Sequence, residues 1–267
     1  MSDDADDVSN LLEDAEAEYL SDRVSALVKM PDNPYGADVF GHPSQRSFLV
    51  AKSPSPMNNR ICGFDVKSDR LPTAEIALFD QAGATVHLPV IGAPKDVKKQ
   101  AEDLGVRVLR GWTQGQFYAE LSNLPLADAA DQTRPLNANE LDAFIEIHSG
   151  AFRYSGTKVN ITHEMMRGLL SEGRAEAYAV CDDDVPVAIG LVYFATNQTA
   201  YLATAATIPS ARKRGAHSSL ISRRIEAARQ RGCKLVSSTA LINSQSCRNL
   251  KRAGLSQSHV QSLLVLQ

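Results

Sequence analysis

"TIPSARKRGAHSSLISRRIEAARQRGCKLV", Thr207–Val236, is the stretch on which the reading of this chain turns. Arg212, Lys213 and Arg214 stand directly before Gly215, and an amphipathic run over Ala216–Gln230 follows. The strand-like "TAYLATAAT" precedes the stretch and "KLVSSTAL" closes it. The order is therefore strand, glycine loop, helix. A helix N-terminus presents unbonded backbone N–H groups and the positive end of the dipole. A glycine there lets an anion come close to the backbone, and three bases add charge. That is a physical recipe for holding a phosphate or pyrophosphate. The same residues, taken alone, also fit a helix start with a solvated basic face.

Two phosphate-binding patterns are excluded. The loop is not GxxxxGK[ST], the pattern of nucleotide-hydrolysing enzymes. Nor is it a GxGxxG following a first strand, the dinucleotide pattern.

The chain has 267 residues, 43% hydrophobic and 22% charged, an ordinary globular composition. The net charge of −3 argues against a nucleic-acid binder. The charge is unevenly spread. Residues 1–19 carry eight acids and no base, whereas residues 207–255 carry eleven bases and one acid, Glu226. The acidic start lacks the apolar core of a secretory signal, and no run is long enough to span a bilayer. Cys62, Cys181, Cys233 and Cys247 form no CxxC and read as reduced thiols of a cytoplasmic protein. The six histidines are scattered, and no metal-ligand spacing occurs.

Along the chain, residues 1–8 read as an acidic disordered tail. A helix is expected from Ser9 or Asn10 to about Val28, with Leu12, Ala15, Tyr19, Val24 and Leu27 on its apolar face. "SFLVAK", "RICGFDV", "VHLPVI" and "VRVLRGW" read as strands, and "PTAEIALFDQAGA" and "PKDVKKQAEDLG" as helices. "NLPLADAADQTRPL" reads as the join between halves, which places one domain over 9–125 and a second over 126–267. In the second, helix "ELDAFIEIHSGAF" follows a cap at Asn137 or Asn139, and helix "ITHEMMRGLLSEG" is capped by Thr162. Strands "EAYAVCD", "VPVAIGLVYFA" and "TAYLATAAT" are joined by turns at "DDD" and "TNQ". The helix Ala216–Gln230, strand "KLVSSTAL", a short helix ended by Gly254 and strand "SHVQSLLVL" complete it. With a short first strand at Thr133 to Leu136, at the end of the join, the order is βααβββαβαβ, a mixed α/β (α+β) fold.

That order and the loop together resemble the GNAT family of acyl-coenzyme A N-acyltransferases. The family's [RQ]xxGx[GA] loop lies between its fourth strand and third helix and is matched at Arg212 and Gly215, with His217 in place of its final small residue. Its later Asn-x-x-Ala…Tyr…Gly-Phe signature is matched loosely by Asn243, Ser246, Leu250, Gly254 and Leu255. A narrower likeness, to two-domain GNAT proteins, runs through "RGAHSSLISRRIEAARQRGCKL", "SQSCRNLKRAGL" and "NRICGF". It implies tandem GNAT-like folds. The N-terminal half would be degenerate, since "KSDRLPTAE" carries no pyrophosphate loop, and the C-terminal half would hold the acyl-coenzyme A site.

The resemblance implies acetyl-coenzyme A, or another acyl-coenzyme A, as donor. Backbone N–H groups from Arg214 through Gly215, Ala216, His217 and Ser218 to Ser219 would hold the pyrophosphate. Arg212 and Arg214 would add charge, and Lys213 would lie near the 3′-phosphate. A backbone N–H at Ala205, Ala206 or Thr207 would polarise the thioester carbonyl. Asn243 and Asn249 would meet the pantetheine amides. The family's usual acid is a tyrosine, but that position is Leu250, which cannot donate a proton. Tyr201 and His259 are the candidate catalytic groups in its place, although the thiolate can also leave unprotonated. The general base is not legible. The implied activity is direct transfer of an acetyl or other short acyl group to the amine of a small molecule, with no nucleic acid, membrane or metal involved. Other thioester chemistry on this fold, such as transfer to a carrier protein or decarboxylation, stays open, as does a non-catalytic acyl-coenzyme A sensor.

Overall fold

A computed structural model of the chain describes residues 3–42, 44–68, 70–126 and 133–266. The centre of the expected join between halves, residues 127–132, lies outside them, as do residues 1 and 2 of the expected tail. The chain divides into two compact units. One is Met1–Gln116 with Ala240–Ile242 and Gln257–Gln267, and the other is Phe117–Thr239 with Asn243–Ser256.

The first unit contains α1 (Asp3–Val28), β1 (Ala37–His42), β2 (Gln45–Val50), β3 (Arg60–Ile61), α2 (Thr73–Gln81), β4 (His87–Ile91), α3 (Pro94–Asp103) and β5 (Val106–Val108). The first helix starts at Asp3, upstream of the caps expected at Ser9 or Asn10. Its apolar face is the one expected, with Leu12, Ala15, Tyr19, Val24 and Leu27 all buried. Glu16 and Glu18 are buried beside them. "RICGFDV" supplies only the two residues of β3, shorter than its sequence suggests.

Strand β6 (Gln114–Glu120) carries the chain into the second unit. There follow β7 (Thr133–Pro135), α4 (Leu141–Phe152), α5 (Thr157–Ser171), β8 (Ala175–Asp182), β9 (Val185–Phe194), β10 (Thr199–Thr207), α6 (Ala216–Gln230), β11 (Leu235–Leu241) and α7 (Gln245–Arg252). The last strand, β12 (Ser256–Leu266), lies almost wholly in the first unit. From β7 to β12 the order is the expected βααβββαβαβ.

Both units have mixed sheets. In the first the order is β1-β2-β3-β4-β12, with β3–β4 parallel, the other pairs antiparallel, and β5 also paired to β12. The core of this unit gathers Leu49, Ile61, Phe79, Leu88, Val106 and Leu264. Each such side chain contributes roughly 1.5–3 kcal/mol when fully buried. In the second unit the order is β11-β10-β9-β8-β7, with β10–β11 parallel and the rest antiparallel. The α6 helix packs on β8, β9 and β10 through Leu220, Ile221, Ile225 and Ala228. Turn residues in the left-handed region, Asp183, Asp184 and Gln198, close the two hairpins at the expected places.

Caps differ in one instructive case. Asn137 does form a capping box with Glu140, opening the turn before α4. Thr162 is not a cap. It lies inside α5, which begins five residues earlier, and its hydroxyl donates to the Lys158 carbonyl at 2.8 Å. A threonine bonded back along its own helix mimics a cap in sequence. Among the described residues no helix is long and apolar enough to cross a membrane.

Candidate functional site

The parallel pairing of β10 with β11 runs only from Thr199↔Leu235 to Tyr201↔Ser237, although both strands continue. On its other edge, the register of β10 against β9 jumps between Ala203 and Ala205, so Thr204 is an extra residue, a β-bulge. Beyond Tyr201 the β11-facing edge of β10 therefore has no ladder partner. Side chains span the start of the divergence. The Tyr201 hydroxyl lies 2.6 Å from Thr239 Oγ1, and Ser238 Oγ donates to the Leu202 carbonyl at 2.8 Å. A free strand edge of this kind can pair with an extended ligand. Ala205 and Thr207 are half-buried on this segment, and Ala206 is buried.

The basic loop follows β10 directly. Pro209–Ala211 makes a single 3₁₀ turn, and Arg212 leaves it extended, its Nε donating to the Thr207 carbonyl at 3.3 Å. Lys213 and Gly215 are both left-handed, at φ 66° and 86°. Gly215 is the N-cap of α6, and no side chain caps that end. Only glycine adopts this conformation freely. A Cβ at Gly215 would meet nothing within 4 Å, so its open side faces free space. The Ser218 and Ser219 N–H groups donate to the Gly215 carbonyl at 2.9 and 3.1 Å. The helix-end donors left over are thus those of the residues before them, up to His217. Arg212, Lys213, Arg214 and Gly215 are exposed, and Arg214 makes one exposed contact, 3.3 Å to Asp182. An uncapped helix end, an αL glycine with a clear side and three bases form a donor set suited to a pyrophosphate.

His217 departs from the charged role its position invites. Its Nδ1 lies 2.9 Å from Asn249 Nδ2, so the ring accepts there and carries its proton on Nε2. Burial, with a smaller push from the Arg224 charge, lowers its pKa to about 4. The ring is neutral near pH 7 and adds no charge to the loop. Asn249 is buried, and its Oδ1 accepts from Gln245 Nε2 at 2.8 Å and from Arg252. Asn243 sits at φ 64°, and its carbonyl accepts from Arg248 at 2.9 Å. Leu250 is buried.

His259 belongs to the other unit. Its Nε2 lies 2.7 Å from Glu13 Oε1, and its Nδ1 lies 3.1 Å from Ser258 Oγ. Glu13 also accepts from Gln261 at 2.8 Å, and Glu16 accepts from Gln116 at 2.7 Å and from Gln261 at 3.0 Å. Burial raises the Glu16 pKa, against the opposing pull of Arg60 3.5 Å away. The structure thus gathers Tyr201, the β10 segment, the loop, Asn243 and Asn249 in one unit, and His259 in another.

Residues 141–255 match the family model for the acetyltransferase (GNAT) family. This segment is a GNAT acetyltransferase domain. The β10 segment, the basic loop, α6 and α7 all fall inside it. Solved structures agree on the fold. A GCN5-related N-acetyltransferase from Kribbella flavida superposes with a TM-score of 0.61 at 14% identity, over 93% of this chain and 94% of that one. A functionally unknown conserved protein from Staphylococcus epidermidis gives 0.61 at 11%, over 87% and 94%. A tandem GNAT protein from the clavulanic acid biosynthesis pathway gives 0.53 at 11%, over 83% and 77%. A search of curated proteins found no match. The fold is of the tandem GNAT kind, and the chemistry of the GNAT domain is acyl transfer from an acyl-coenzyme A.

One residue of the GNAT domain escapes a reading by motif. Arg224 is 2% exposed, on the inner face of α6. In sequence it looks like one of eleven surface bases. Its spacing gives it away, four residues from Leu220 and four from Ala228, both buried.

Proposed function

We propose that this protein is an N-acyltransferase that moves an acetyl or other short acyl group from acyl-coenzyme A to the amine of a small molecule. The observation that carries the donor side is the conjunction of two features in one GNAT domain: the early end of β10–β11 pairing and the αL glycine at the uncapped start of α6. In this reading the pyrophosphate lies on the N–H groups from Arg214 to His217, since those of Ser218 and Ser219 are taken up by the Gly215 carbonyl, with Arg212 and Arg214 adding charge and Lys213 near the 3′-phosphate. The pantetheine pairs with the free edge of β10, along Ala205, Ala206 and Thr207, and the Asn243 and Asn249 region closes its far side.

The reaction is direct. The amine lone pair attacks the thioester carbon, a C–N bond forms, and the carbonyl π pair moves onto oxygen. Collapse restores the carbonyl, breaks the C–S bond and sends both electrons off with the coenzyme A thiolate. The amine proton passes to water. Tyr201, held by Thr239 where the strands part, is the group we assign to protonating the leaving thiolate. His259, bonded to Glu13, is the other candidate acid or base. Holding donor and acceptor together supplies much of the rate. The donor site belongs to the domain over 126–267, the domain over 9–125 is a degenerate GNAT fold without a donor site, and the protein works in the cytoplasm.

A panel of small amines, assayed by thiol release from acetyl-coenzyme A, tests the acceptor class. Amine-dependent release supports it. Saturable donor binding with no amine-dependent release from any member would overturn it.

A further inference from the structure

The second unit holds a buried cation that the scheme above does not use. The Arg224 guanidinium is among the largest fully buried groups of the molecule. Its bonds go to three backbone carbonyls: Nε donates to Leu220 at 2.9 Å, and Nη1 donates to Leu191 at 3.1 Å and to Ala203 at 2.8 Å. Among the described residues no carboxylate pairs with it. Burial lowers its pKa to about 9, which leaves it charged near pH 7. Gly190 makes room for it, since a Cβ there would lie 3.1 Å from its Nε and 3.2 Å from its Cζ.

Burying an uncompensated charge costs several kcal/mol. A neutral side chain of similar volume would fill the same space more cheaply. What the charge does there follows from where it points. Leu191 and Ala203 are opposite residues of β9 and β10, and Ala203 is the last residue before the Thr204 bulge. Arg224 therefore ties down the carbonyl of the peptide that joins Ala203 to Thr204. In a planar trans peptide the N–H points opposite to the C=O. The Thr204 N–H is thus directed away from the guanidinium, on a half-buried residue beyond the end of β10–β11 pairing. A cation on the carbonyl draws electron density through the peptide and makes that N–H a stronger donor, since chained hydrogen bonds polarise one another.

We propose that Arg224 is a positioning residue for acyl transfer: it fixes the β10 bulge and polarises the Ala203–Thr204 peptide, so that the Thr204 N–H binds the thioester oxygen. The proposal rests on the acyl-coenzyme A reading above and sharpens it. The donor to the developing oxyanion is Thr204 rather than Ala205, Ala206 or Thr207. Its strength comes from a charge that never touches the substrate. When the amine attacks and the π pair moves onto oxygen, a preorganised, charge-backed donor needs no rearrangement to meet it. As the C–S bond breaks, the pair returns to the carbonyl and the oxygen's hydrogen bond weakens again.

The test reads the thioester carbonyl itself. Acetyl-coenzyme A labelled with ¹³C at the acetyl carbonyl is bound to the full chain, and its C=O stretch is followed by infrared difference spectroscopy. The wild-type stretch is expected at lower frequency than in solution. Arg224→Met should lose most of that displacement while keeping donor affinity within about tenfold, and Arg224→Lys should recover part of it. Gly190→Ala leaves the charge and displaces the guanidinium, so it should weaken the shift even if Arg224→Met does not fold. A full displacement retained in a folded Arg224→Met or in Gly190→Ala overturns the proposal and leaves the acyltransferase reading standing. If wild type does not bind acetyl-coenzyme A, both fall together.

Discussion

Asn249 Nδ2 and His217 Nδ1 lie 2.9 Å apart, which joins the start of α6 to the middle of α7. The bond exists only while the imidazole is neutral, because a protonated Nδ1 cannot accept. Burial already holds the folded-state pKa at about 4, against 6.5 for an ordinary histidine. The sign follows. Below pH 6.5 the unfolded chain takes up a proton that the native ring refuses until about pH 4. Stability is therefore complete above about 6.5 and falls through that window as the pH drops, by up to about 3 kcal/mol. Urea unfolding of wild type and His217→Gln at several pH values checks this. The stability of wild type relative to His217→Gln should fall as the pH drops from 6.5 towards 4, and a constant difference would contradict it.

Tyr201 and Thr239 are bonded at 2.6 Å where β10 and β11 begin to part. If the phenol protonates the leaving thiolate, Tyr201→Phe should lower kcat by about 10²-fold or more, with donor affinity unchanged in calorimetry. An unchanged kcat would mean that the thiolate leaves as an anion, and the assignment of Tyr201 would fall.

Arg60 and Glu16 form a buried ion pair at 3.5 Å in the first unit, both side chains almost wholly out of solvent. Arg60 also donates to the Pro56 carbonyl at 2.8 Å. Removing one member of a buried pair strands the other. Arg60→Met should cost about 3 kcal/mol or more in urea unfolding. The double change Arg60→Met with Glu16→Leu should recover much of the loss, and a double variant as unstable as the single would contradict the pairing.

What the sequence announced, and what it hid, divide along physical lines. The αL glycine, the three bases before it and the helix Ala216–Gln230 were legible, because backbone conformation and helix-end chemistry restrict which residue types can serve there. The hairpin turns were legible for the same reason. Thr162 misled, since a hydroxyl bonded to the Lys158 carbonyl inside a helix looks like a cap when only the sequence is known. The burial of Glu16 was not legible at all: in sequence it is one of the eight acids of residues 1–19, and its partners Gln116, Gln261 and Arg60 are distant along the chain. Arg224 was hidden in a run of bases, and only its registry with Leu220 and Ala228 separates it from its exposed neighbours. The β10 bulge leaves no mark on "TAYLATAAT", because a bulge is a relation between two strands.

The central claim is that the loop before α6 holds the pyrophosphate of an acyl-coenzyme A. The measurement that tests it most directly is calorimetric titration of the full chain with acetyl-coenzyme A, with Gly215→Asp beside wild type. At φ 86° an aspartate is strained, and it places a negative charge on the open side of the loop. One-site saturable binding by wild type, lost in a folded Gly215→Asp, is the result expected. Absence of binding by wild type at millimolar donor, or binding that Gly215→Asp leaves unchanged, would contradict the account.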